Sequence, residues 1–222
     1  MSFKRLDDPL RQQALIPFLQ AANRLNGHLV CVLVDKKFRY MTSGKGMLKK
    51  YRKSLGLSAR WNDKSFENMA RKAHFFSLCV AQWSRPGSDI TWITDEDEFV
   101  ANDLRLDDAQ KFAARLSSLY SDHSFGTFAM NTTAIDGNDR GFEDFVAIPD
   151  LAAGMLSEVC SLLSPTKDWV DHEKYPLLHD MSQKADIIMD WFWCPTPHLK
   201  RTCIVIDKFE SKTRVMKLDQ MH

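Results

Sequence analysis

HLVCVLVDK, residues 28–36, is a short continuous apolar run, five of its residues Leu or Val, that leads into an acid, Asp35. Strands with one wet face alternate apolar and polar residues. A continuous run marks a strand covered on both faces, as in a parallel sheet. The stretch therefore predicts a buried strand with helices packed on its sheet. Its upstream flank agrees. Asp8 is a good N-cap and Pro9 suits the first helical position. Leu10, Ala14, Leu15, Phe18, Ala21, Ala22 and Leu25 then recur at helical spacing, and Gly27 stops the pattern. Pro17 falls inside it and predicts a kink or a break.

Downstream, helices and strands continue to alternate. A helix is expected over 65–84, capped by Ser65, with Phe66, Met69, Ala70, Ala73, Phe76 and Val80 on its apolar face; Arg85-Pro86-Gly87 ends it. ITWITDEDEF (90–99) opens as a strand over 90–95. Asp107 and Asp108 start a helix carrying Phe112, Leu116 and Leu119, and FGTFAMNTTA (125–134) reads as a strand. DGNDRG (136–141) is a loop, and a helix runs from Pro149-Asp150 to Leu163. Another covers 183–193, and TCIVIDKFESKTRVMKLDQ (202–220) gives two strands joined by a Ser-Lys-Thr turn. This alternation argues for an α/β fold. We expect one domain over 1–163, with 164–222 as a helix-and-hairpin extension packed on it.

Bulk properties narrow the class only a little. The 222 residues are 44% hydrophobic, enough for one large or two small domains. Thirty basic and 29 acidic residues give a net charge of +1, which favours no polyanion globally. No uninterrupted apolar run approaches the roughly 20 residues of a membrane span, and MSFKRLDDPLRQQ is too polar for a secretory leader. A cytoplasmic protein without membrane contact is expected. The five cysteines contain no CxxC pair and are expected as reduced thiols. The seven histidines, His172 and His179 included, match no zinc spacing.

Two charged regions could carry chemistry. In ITWITDEDEF the strand runs into Asp95, Glu96, Asp97 and Glu98. A carboxylate at a strand end is rigidly held, and Mg²⁺ takes one or two such carboxylates plus water and phosphate oxygens. Asp95 is the first acid past the run, and Asp97 shares its face if the strand continues. Asp150, in IPDLAAG, is a second candidate, although an acid in a first helical turn also simply complements the helix dipole. A solvated loop accounts equally well for 95–98. Residues 35–60 hold nine cations against one acid, Asp35, with Phe38, Tyr40, Tyr51 and Trp61 interspersed. That mixture suits phosphate contacts and base stacking, or else a plain solvated face. SGKGM lacks the phosphate-loop spacing. Residues 95–108 hold seven acids against Arg105 alone, so the charge is segregated along the chain.

The order of Ser2-Phe3-Lys4, a helix, LVCVLV, a helix, ITWITDEDEF, a helix, TFAMNTTA and FVAIPDLAAG resembles an uncharacterised family of ribonuclease H-like proteins. The resemblance covers roughly residues 2–163. It implies a mixed sheet flanked by helices and a Mg²⁺ or Mn²⁺ site at Asp95 and Asp150, assisted by Asp97 or Glu98. It implies two-metal phosphodiester hydrolysis in nucleic acid, with Lys4, Lys45, Lys49, Lys50, Arg52 and Lys53 toward the phosphates. The family's leading hairpin, whose first strand brings a catalytic Asp, has no counterpart ahead of LVCVLV. A chain shortened at its N-terminus is one expectation, with LVCVLV an open sheet edge and a route to homo-oligomers. The other is that the C-terminal hairpin fills the place and CIVID (203–207) supplies Asp207 as a ligand. The alternative function is a catalytically inactive binding or regulatory protein of the same fold.

Overall fold

The computed structural model describes residues 1–35, 47–95, 100–137, 141–163, 181–209 and 212–219. Its elements are α1 (Pro9–Ala22), β1 (Gly27–Val34), α2 (Met47–Leu55), α3 (Asp63–Trp83), β2 (Ile90–Thr94), α4 (Asp103–Tyr120), β3 (Phe128–Thr132), α5 (Gly141–Leu163), α6 (Gln183–Trp193), β4 (Leu199–Phe209) and β5 (Lys212–Asp219). The mixture is α/β. Two compact units divide the chain: Met1–Phe38 with Glu143–His222, and Arg39–Phe142.

The first unit holds a three-stranded sheet of order β1-β4-β5. β1 lies parallel to β4 from Gly27↔Leu199 to Val34↔Ile206, and β5 folds back antiparallel on β4. LVCVLV is thus paired on one side by the C-terminal hairpin and, among the described residues, stands as an edge strand of its sheet. On one face, Leu29 and Cys31 of β1 and Cys203 and Val205 of β4 are buried. They join Leu15, Leu19 and Ala22 of α1, a helical stripe on α5 (Ile148, Leu151, Ala152, Met155, Leu156, Val159) and Ile188 and Phe192 of α6. Among the described residues, α5 alone is long and apolar enough to cross a membrane by length and composition. In this unit that apolar stripe is core.

Three sequence expectations shift at helix boundaries. α1 passes through Pro17 without a break. α5 begins at Gly141, so Pro149 is inside it and Asp150 is not in its first turn. α3 and α4 are capped by Asn62 and Asn102, whose side chains accept the N–H of Ser65 and Arg105, rather than by Ser65 or Asp107. Both asparagines satisfy orphan amides one turn before the apolar pattern begins.

Of the four buried side chains Leu29, Cys31, Cys203 and Val205, two, Cys31 and Cys203, are thiols. Cys31 and Cys203 are direct cross-strand partners, and all five cysteines are free thiols. Burial, and then the proximity of Cys203, pushes the Cys31 thiol up to about 12. Burial and then Cys160 do the same for Cys203, also to about 12. Above the ordinary value of 9.0 the unfolded thiols ionise while the folded ones do not. Their contribution is complete below pH 9 and is lost as pH rises toward 12. Ellman's reagent at pH 8 should therefore label exposed Cys194 in the native protein and reach Cys31 and Cys203 only after denaturation. Prompt native labelling of either strand cysteine would contradict the burial.

The second unit has a two-stranded parallel sheet, β2 with β3, from Ile90↔Phe128 to Thr94↔Thr132. α3 and α4 pack closely because small residues face each other: Ala70, Ala73 and Ser77 on one, Ala109, Ala113 and Ser117 on the other, all buried. The buried hydroxyls are satisfied, Ser77 donating to the Ala113 carbonyl (3.2 Å) and Ser117 to Ser77 (3.1 Å). Phe76 stacks on Trp92 of β2 at 4.4 Å, tying the helix to the sheet.

Candidate functional site

Ligands in open α/β sheets bind beyond the carboxyl ends of the strands. In the first unit one acid, Asp35, stands just past the end of β1, and another, Asp207, lies two residues before the end of β4. The Asp35 N–H donates to the Ile206 carbonyl (2.9 Å), continuing the parallel ladder one step past Val34↔Ile206. Asp35 therefore falls beside Asp207 in register, on neighbouring strands spaced about 4.8 Å apart. Both are half-buried. Both belong to the face that carries Cys31 and Cys203, since side chains alternate along a strand. Asp207 also has a cation. Arg214, directly opposite on β5, donates Nε to Oδ1 (3.0 Å) and Nη2 to Oδ2 (2.6 Å), a fork-on-carboxylate contact. Sequence reasoning put forward Asp207 but passed over Asp35. The signal was present, since LVD at 33–35 repeats the apolar-then-Asp ending of VID at 205–207.

Asp150 lies in the same unit and is exposed. Its Oδ2 accepts the backbone N–H of Phe3 (3.0 Å), so the carboxylate anchors the N-terminal turn that also carries Lys4. Phe3 lies against Gly154 one turn along α5, so close that a Cβ on Gly154 would stand 2.2 Å from the ring. The small residues of LAAG thus make room for Phe3 as well as for the core. α1 and α6 run alongside each other: Lys184 pairs with Asp7 ahead of α1 (2.8 Å), and Trp191 donates to Leu19 and Asn23 at its end. Arg201, near the start of β4, donates to Asn23 and to the Cys194 carbonyl. The first turns of both helices, with Phe3 and Asp150, thus point away from the strand starts and toward the end that carries Asp35 and Asp207.

Gly154→Ala would gain up to about 1 kcal/mol of helix propensity. We expect a net loss of about 1–3 kcal/mol, because overpacking must displace the Phe3 ring. Urea unfolding of Gly154→Ala alone and combined with Phe3→Ala checks this. The second substitution should restore most of the loss; equal midpoints for wild type and Gly154→Ala would refute the contact.

In the second unit Asp95 is the exposed residue following β2. Asp97, Glu98 and Lys45 lie outside the described residues. Lys49, Lys50 and Lys53 project as an exposed cationic face of α2, whose other side packs Tyr51 and Leu55 against the core. Arg52 is engaged differently, pairing with Asp63 (2.7 Å) and donating to the Trp61 carbonyl. Phe38 and Tyr40 lie outside the described residues, and the two described aromatics of this stretch are engaged in packing. Trp61 is buried, and Tyr51 meets Phe66 edge-on at 5.9 Å. Of the acids between 95 and 108, Asp108 is buried and Asp107 pairs with Lys111 (2.6 Å).

Among the described residues, no three His, Cys, Asp or Glu side chains come together as a metal-binding group. The carboxylates that the structure brings side by side are a pair, Asp35 and Asp207. Asp150 belongs to the same unit as that pair and Asp95 to the other. Compared with protein-family models, curated proteins and solved structures, the chain finds no significant match.

Proposed function

We propose that this chain is a divalent-metal-dependent phosphodiesterase acting on nucleic acid, of ribonuclease H-like architecture. Its C-terminal hairpin stands in for the family's leading hairpin, and Asp207 for the leading acid. One observation carries the reading: Asp35, the residue after β1, falls in parallel register beside Asp207, which lies two residues before the end of β4. Adjacent carboxylates of this kind suit Mg²⁺ or Mn²⁺, which binds through one or two carboxylates and keeps water on its remaining positions. Such an ion supplies an activated water and neutralises phosphate charge. Asp35 and Asp207 would hold it, with Asp150 of the same unit as the further carboxylate that the resemblance supplies. Arg214 would turn from Asp207 to a substrate phosphate, which its planar fork fits equally well. Lys4 and the Lys49, Lys50 and Lys53 face of α2 would attract the polyanion from solution.

A second reading has its own support. Asp207 is already neutralised by Arg214, and Asp150 is occupied by the Phe3 amide. These contacts favour a fold that binds nucleic acid or protein without cleaving it. Mn²⁺ titration followed by electron paramagnetic resonance separates the two. The hydrolase reading expects saturable binding that Asp207→Asn weakens at least ~10-fold, a loss of about 1.4 kcal/mol, together with Mn²⁺-dependent cleavage of a single-stranded oligonucleotide. Binding unaffected by Asp207→Asn and Asp35→Asn, or absent in wild type, would leave the non-catalytic reading.

A further inference from the structure

In the second unit, three side chains form a directional hydrogen-bond chain. His123 Nδ1 meets Asp122 Oδ1 at 2.8 Å. His123 Nε2 meets Ser84 Oγ at 3.0 Å. The order of the two ring nitrogens matters. A carboxylate at Nδ1 keeps the proton there, which leaves the Nε2 lone pair facing the serine hydroxyl. This is the arrangement in which an imidazole removes a proton from a serine as the serine attacks.

The supporting backbone is firmly laced. Ser84 caps α3, its N–H donating to the Val80 carbonyl (2.8 Å). The segment after it is tied to the segment after His123 by Gly87 N–H to Ser124 O (2.9 Å) and Gly126 N–H to Ser88 O (2.8 Å). Asp89 Oδ1 accepts both the N–H and the hydroxyl of Thr127, each at 2.8 Å. Gly126 is required at this crossing, because a Cβ there would lie 2.5 Å from Asp89 Oδ1. Constellations held on cross-braced segments keep their geometry. The His123 side chain is 15% exposed, so its ring is sheltered. The Asp122 carboxyl lies below its ordinary value, first because of the His123 ring, and is ionised at neutral pH. His123 and Asp122 also line a depression of about 400 Å³ with Ser118, Ser121, Ser124 and Phe125. Ser84 is connected to this depression by its bond to His123 rather than as one of its walls, and Phe125 gives it an apolar wall.

We propose that Ser84, His123 and Asp122 form an acyl-transfer site for simple esters, with Ser84 as nucleophile, His123 as general base and Asp122 as the group that orients the ring. Ser84 Oγ bonds to the ester carbonyl carbon, and its proton passes to His123 Nε2. The carbon–alkoxy bond breaks and the alcohol leaves with that proton. Water then attacks the acyl carbon, its proton passes through His123 to Ser84 Oγ, and the carboxylic acid departs. Ester and water become acid and alcohol, with no redox partner. Asp122 is 96% exposed, so it orients the ring and adds little charge stabilisation.

The test is phosphonylation of the full chain by an alkyl fluorophosphonate, followed by intact mass and peptide mapping, alongside hydrolysis of p-nitrophenyl acetate. One adduct on Ser84 is expected, with fluoride leaving. Ser84→Ala should abolish it while leaving the thermal midpoint unchanged, since alanine keeps the N–H bond to Val80. His123→Gln should slow labelling about 10²-fold or more, the low end of a general-base contribution. Asp122→Asn should slow it less and displace its pH profile. The proposal is overturned by no adduct, by an adduct elsewhere, by equal labelling of Ser84→Ala, or by full-rate labelling of His123→Gln.

Discussion

Asp108→Ala should unfold the second unit at markedly lower urea than wild type, with a loss of about 3–5 kcal/mol, the cost of breaking a buried charged contact on one side. The carboxylate is only 3% exposed. Its Oδ1 accepts the Ser58 amide (2.9 Å), and its Oδ2 accepts the Ala59 amide (2.8 Å) and Trp61 Nε1 (2.9 Å). All three donors belong to the segment joining α2 to α3. Truncation leaves them sheltered and unpaired, at about 1–3 kcal/mol each before relaxation. Asp108→Asn keeps one acceptor oxygen and should lose roughly half as much. Arg105 stacks over Trp61 at 5.1 Å and donates to the Arg60 carbonyl (3.0 Å), so the segment is held from two sides. Trp61 emission should shift to the red in Asp108→Ala. A wild-type urea midpoint would show that the clamp contributes nothing.

Arg201→Ala should be the costliest single change in the first unit, at about 3 kcal/mol or more, within the range for a large buried side chain with polar partners. The side chain is 1% exposed. It lies over Trp191 at 4.2 Å and donates Nη1 to the Cys194 carbonyl (2.7 Å) and Nη2 to Asn23. These contacts join the end of α1, the end of α6 and the start of β4. Its Nε lacks a hydrogen-bond partner among the described residues, and burial pushes the guanidinium down to about 10. A depressed cation costs stability at every pH below 10 and costs less as pH climbs above it, opposite in sign to the buried thiols. Arg201→Met keeps the apolar stem and removes the desolvation cost, so it should lose less than Arg201→Ala. Denaturant midpoints at pH 7 check the order. Arg201→Met at or below Arg201→Ala would mean that the polar tie, and not the packed stem, dominates.

Much of the candidate site was legible as pattern and illegible as arrangement. The C-terminal hairpin and its Asp207 could be read from CIVID, but nothing in that stretch names its neighbour. The partner, β1, lies about 170 residues away in sequence, at Val34↔Ile206. For the same reason Asp35 stood out only once its strand had a place. Asp150 read as a helix-start acid because Pro149 precedes it. Packing of Ile148, Leu151 and Ala152 instead carries the helix back to Gly141. The Ser84–His123 contact spans 39 residues and follows no motif. The cationic stretch was visible, but its inner side was not: Tyr51, Trp61 and Arg52 are consumed by α2, the core and Asp63.

The sequence by itself determined the α/β class, the existence of nearly every helix and strand, and the apolar face of α3. These depend on periodicity and turn chemistry, which act over a few residues. Only the tertiary structure decided that the strands fall into a β1-β4-β5 sheet and a β2-β3 sheet, and that the chain divides with both termini in one unit. It alone decided which acids face a cation, an amide or each other. Strand pairing and buried polar contacts are chosen by the free energy of the whole packed unit. Residues far apart in sequence enter that sum together, and no local stretch contains it.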